Sequence, residues 1–168
     1  MSPNKIDTPV INAFTIKYDG RIKNRLTTQI TLHSGDKEFI TVALWDTGAT
    51  ASCISKNVVQ NLELIPTGKT NIHTPSGYSE RNTYLLDMTL PNNVRINDVR
   101  AIDSEIADQG LDALIGMNII CMGDLSLSNK RETVFTFRVP SVKTTDYVKE
   151  INLQKLIGTH GKGKRKHK

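Results

Sequence analysis

Apolar and polar residues alternate in short runs along most of the chain, the period of strands that bury one face. Residues 13–18 put Phe14 and Ile16 on one side, and residues 26–32 put Leu26, Thr28, Ile30 and Leu32 on one side. Ser34-Gly35-Asp36-Lys37 is turn chemistry, so the run to His33 is expected to pair with residues 39–44 as a hairpin. Further strands are predicted over 69–74, 79–90, 95–102, 113–115, 125–128 and 134–138, broken by Pro75-Ser76-Gly77 and Pro91-Asn92-Asn93. Two places read differently. Ser55 is placed to cap a short helix over 56–62 with Val58, Val59 and Leu62 as its apolar face, and 117–122 suits one helical turn.

Turn signals at this spacing predict a single all-β domain with one or two short helices. Its expected extent is 13–140. Residues 1–12, polar with Pro3 and Pro9, read as a loose arm. Residues 141–157 read as an extension with a weak helix using Tyr147, Val148, Ile151 and Leu156, and 158–168 as a disordered basic tail.

The 168 residues suffice for one core. The charge of +5 is unevenly placed. Residues 155–168 hold six of the 22 Lys+Arg and none of the 17 Asp+Glu, so the first 154 carry a net charge of −1. A nucleic-acid-binding body is therefore not expected, and any such contact would be a weak one through the tail. The longest apolar stretch, 114–122, contains Gly116 and Asn118, which excludes a membrane-spanning helix. Two cysteines, no glycosylation sequon and no apolar leader point to a reducing, cytoplasmic setting.

The sharpest chemistry lies in Ala43-Leu44-Trp45-Asp46-Thr47-Gly48-Ala49-Thr50. An apolar strand runs into an acid, then into a turn of small residues. A carboxylate there is costly unless it is hydrogen-bonded or shares a proton. The simplest role for Asp46 alone is to cap a turn, accepting from the Gly48 and Ala49 amides. Leu114-Ile115-Gly116-Met117-Asn118, followed by Gly123-Asp124-Leu125, is a second element: apolar residues, a glycine, then a helical turn. Together and in this order, the two resemble the retropepsin-like aspartic proteases, in particular the cellular, bacterial-type members, over roughly residues 13–140.

The resemblance implies a closed β-barrel or sandwich active as a two-fold dimer. It implies Asp46 as the catalytic acid, Thr47, Gly48 and Ala49 as its support, and Ile115 and Gly116 as the ψ-shaped loop beside it. The flap would fall on 72–80, with Thr74, Ser76, Gly77 and Tyr78 as substrate contacts, and Cys53 and Leu114 would line the pocket. This flap has one glycine where retroviral flaps are glycine-rich, and Pro75 stiffens one side. Retroviral members often pair an acid just after the catalytic turn with a basic residue after the late glycine. Here those places hold Thr50, Ala51 and Met117, so both partners are absent together.

Other chemistries lack support. Thr67-Gly68-Lys69-Thr70 ends like a phosphate loop, but Glu63 stands where its first glycine belongs. Cys53 and Cys121 have no histidine at ligand spacing and read as packing residues, so no metal or other cofactor is expected. The chain has one Asp-Thr-Gly, half of a two-acid site, so the expected assembly is a homodimer acting on a peptide or protein substrate. The alternative is an inactive module of the same fold that dimerises or binds peptide.

Overall fold

The computed structural model describes residues 10–22, 24–74 and 77–161. The elements are β1 (Asn12–Lys17), β2 (Thr27–Ser34), β3 (Lys37–Trp45), β4 (Ser52–Ile54), α1 (Lys56–Asn61), β5 (Gly68–Thr74), β6 (Gly77–Leu90), β7 (Val94–Asp103), β8 (Ala113–Ile115), α2 (Met117–Ile120), β9 (Asp124–Ser128), β10 (Val134–Val139) and α3 (Tyr147–Gly161). Six strands form a closed ring in the order β2-β3-β8-β4-β7-β6, which β2 and β6 complete through pairs such as Leu32↔Met88. Closure leaves no open edge across the ring. β5 extends β6 outward as a hairpin, and β1-β10-β9 form a separate three-stranded sheet.

The hairpin β2–β3 pairs from Thr27↔Leu44 to Ser34↔Lys37, turning on Gly35, whose φ of +57° a side chain would oppose. On β2 the alternation is read directly as burial: Thr28, Ile30 and Leu32 face the core. Ser55 caps α1, its hydroxyl accepting from the Val58 amide, while Val58 and Leu62 are buried. The three-stranded sheet is joined to the barrel by aromatics. Phe14 of β1 and Phe135 and Phe137 of β10 meet Trp45 of β3, with Trp45 and Phe135 edge-to-face at 4.9 Å. Trp45 Nε1 donates to Thr28 Oγ1 at 2.9 Å, so the side chain before Asp46 is held by a hydrogen bond as well as by ring packing.

Three features depart from the sequence expectations. The strand β4 is additional: its three residues, Ser52-Cys53-Ile54, show neither a period nor the continuous apolar run that marks the equally short β8. Cys121 is exposed at the end of α2, so it is not a packing residue. The last helix reaches Gly161, past 157 and into the stretch expected to be disordered, and its Tyr147, Val148, Ile151, Leu153, Leu156 and Ile157 are all exposed. Among the described residues no helix is long and apolar enough to cross a membrane.

Candidate active site

β8 sits between β3, which it pairs in parallel, and β4, which it pairs antiparallel. The chain between β3 and β4, residues 46–51, must therefore arch over the end of β8. That arch carries Asp46, Thr47, Gly48 and Ala49. Main-chain bonds fasten it to the strand beneath: the Asp46 amide donates to Ile115 O at 3.0 Å, Met117 to Ala49 O at 2.8 Å and Asn118 to Thr50 O at 3.2 Å. Gly116 is where the two chains come nearest. A β-carbon there would stand 2.5 Å from the Ala51 carbonyl carbon and 2.9 Å from Ala49 O. Its φ of −95° is open to any residue, so close approach alone requires glycine.

Side chains complete the fastening. Ser52, fully buried, accepts from the Gly116 amide at 3.1 Å and donates to Asn118 Oδ1 at 2.9 Å. Asn118 Oδ1 also takes the Ser52 amide at 2.8 Å, and its Nδ2 donates to Arg100 O at 3.0 Å, reaching β7. This neutral network ties arch to strand in a chain that lacks an acid–base pair at positions 50, 51 and 117. Asn118 belongs to a run singled out in the sequence, but nothing in the sequence pattern marks Ser52.

Asp46 is half-buried, and its Oδ1 accepts from the Gly48 amide at 2.8 Å. The Ala49 amide binds the Asp46 main-chain carbonyl instead, at 3.3 Å. The turn thus uses one carboxylate oxygen, and no protein group holds the other among the described residues. Thr47 and Gly48 are exposed at the crest of the arch.

Two clefts flank this arch. One, of about 430 Å³, is lined by Gly48, Ala49, Cys53, Thr70, Ile72 and Ile102 among others. The other, of about 440 Å³, is lined by Arg25, Leu26, Leu44, Trp45, Asp46 and Leu127 among others. Cys53 faces the first cleft, and burial, then the Asp46 charge, push its thiol up to about 11, with Arg81 opposing. Leu114, paired with Cys53 across β4 and β8, is buried with Ile106 and Leu111 and does not line either cleft. The β5–β6 hairpin brings Ile72 to the first cleft; Thr74 pairs with Gly77 near its tip, and Gly77 and Tyr78 are exposed. Ser76 lies outside the described residues. Arg25 had no signal of its own in the sequence, being the last of three bases, with Arg21 and Lys23, ahead of a strand. Among the described residues no cluster of His, Cys, Asp or Glu is arranged to hold a metal.

No protein-family model matches the sequence, and no curated protein matches it. Solved structures do. A retropepsin-like aspartic protease from Rickettsia conorii superposes with a TM-score of 0.50 at 12% identity, covering 77% of this chain and 95% of that one. The fold is retropepsin-like. The EIAV protease, in complex with an inhibitor, gives 0.46 at 20% identity over 61% and 91% of the two chains. The simian foamy virus protease gives 0.39 at 17% over 54% and 89%.

Proposed function

We propose that this chain is an aspartic endopeptidase that works as a two-fold homodimer on peptide or protein substrates. The observation that carries the reading is the arch itself. A carboxylate, half-buried with one oxygen uncommitted, sits between two clefts on a loop fastened to β8 through Gly116. A turn cap needs neither the clefts nor so tightly fastened a loop.

The chemistry needs two carboxylates sharing one proton. The ionised one takes a proton from water as it attacks the peptide carbonyl, and the protonated one hydrogen-bonds the carbonyl oxygen. One chain supplies one such acid. A two-fold axis beside Thr47 and Gly48, both exposed at the crest, brings Asp46 of two protomers together by symmetry. The β5–β6 hairpin would then act as the flap, closing over peptide held in the clefts and excluding water.

The test is turnover of an unstructured protein at mildly acid pH, with and without a statine-type inhibitor, alongside Asp46→Asn. Cleavage that disappears with both supports the peptidase. A dimer that binds peptide without cleaving it would favour the inactive module.

A further inference from the structure

We propose that Arg25 gives this site a preference for an acidic side chain in the peptide, its guanidinium receiving the carboxylate within the cleft that Leu44, Trp45 and Asp46 also line. The inference rests on the peptidase reading above.

Arg25 is exposed and held in place from both ends. Its neighbour Leu26 accepts the Trp45 amide at 2.8 Å, which ties this stretch of chain to the residue before Asp46. Its Nη1 donates to Gln109 O at 3.1 Å, and that is its one hydrogen bond among the described residues. Arg81, Arg95 and Arg138 each meet a carboxylate, whereas Arg25 meets none among the described residues. A guanidinium has five N–H donors in a planar fork suited to a bidentate carboxylate. One donor is engaged, which orients the fork and leaves the rest for a ligand. Leu26, Leu44 and Leu127 supply an apolar wall, so the cleft suits glutamate, with its longer aliphatic stem, better than aspartate. Because Asp46 lines the same cleft, the acidic residue belongs close to the scissile bond.

The experiment compares kcat/KM on peptides that differ only in Glu, Gln or Lys at positions flanking the cleavage site. The wild-type protein should favour Glu over Gln by about tenfold at one position, and the preference should shrink in high salt. Arg25→Glu should invert it toward Lys. Arg25→Met, which keeps the stem, should bring the Glu/Gln ratio to one, and serves if the charge reversal does not fold. Equal turnover of Glu and Gln peptides, all of it lost in Asp46→Asn, overturns the Arg25 proposal and leaves the peptidase standing. Absence of any Asp46-dependent cleavage overturns both. An Arg25→Glu protein that sediments as a monomer where the wild type is a dimer would assign the guanidinium to a carboxylate of the second protomer, which also overturns it.

Discussion

Gly116 lies so close under Ala51 that a β-carbon on it would stand 2.5 Å from the Ala51 carbonyl carbon and 2.6 Å from its oxygen. Both atoms are backbone, so no side chain can swing aside to make room. The arch over β8 has to lift, and it carries Asp46. Gly116→Ala should therefore destabilise by at least the ~1–3 kcal/mol typical of overpacking, and what remains folded should have lost activity more than stability. Urea unfolding and peptide turnover on the same preparation measure the two. An alanine variant with both unchanged would mean the arch is not held at this point.

Ser52 offers a second handle on the same loop. Ser52→Ala removes the acceptor of a buried Gly116 amide and one donor to Asn118. A buried amide left without a partner costs about 1–3 kcal/mol. Asn118→Ala should cost a comparable amount, and the two should be non-additive, since each breaks the shared bond. A double-mutant cycle by chemical unfolding reads the coupling; strictly additive losses would show two independent contacts.

Much of this fold was legible because burial follows the period of two so directly. Thr28, Ile30 and Leu32 face inward in the order their alternation gives, and Gly35 turns the hairpin where the polar run falls. The site was legible only in part. Asp46 and Gly116 announce themselves, one as an acid ending an apolar strand and the other as a glycine between an apolar strand and a helical turn. Ser52 does not, because its role depends on β4 lying against β8, a pairing between residues some 60 apart that no local period encodes. Arg25 is silent for a different reason: the hairpin register that sets Leu26 opposite Trp45 was legible, but nothing in it says that the side chain one residue earlier lines a cleft with Asp46. Cys121 misled because cysteine is usually buried, whereas here it follows the last turn of a four-residue helix and points to solvent.

Asp124 sets an acid limit on the fold. Its carboxylate accepts from Ser141 Oγ, from the Val142 amide at 3.0 Å and from Arg138, which together hold it far below the usual carboxylate range. The unfolded chain binds this proton more readily than the folded one. The contribution is therefore present above the ordinary aspartate pKa near 3.8 and is lost as pH falls below it. Asp124→Asn should lower stability at pH 7 and narrow the difference between pH 7 and pH 3. Thermal melts of both proteins at the two pH values test it; an unchanged difference would place acid sensitivity elsewhere.

Asp46→Asn separates chemistry from architecture. The amide oxygen can still accept from Gly48, so the turn should close and thermal stability should stay within about 1 kcal/mol. On the peptidase reading proposed above, the substitution removes the base and the shared proton together, so hydrolysis should fall by several orders of magnitude. Cys53 supplies an internal check that needs no substrate. Burial first and the Asp46 charge second hold its thiol up at about 11, so at pH 8 it is protonated and should alkylate slowly. Removing the negative charge stabilises the thiolate, so Cys53 should react faster in Asp46→Asn than in the parent, most visibly between pH 9 and 10, while the rate at exposed Cys121 stays put. Peptide mapping after timed iodoacetamide exposure resolves the two cysteines. A variant that has lost hydrolysis but shows the same Cys53 rate would place the carboxylate farther from the cleft than the arch geometry has it. One that still cleaves peptide would end the assignment of Asp46 as the catalytic acid.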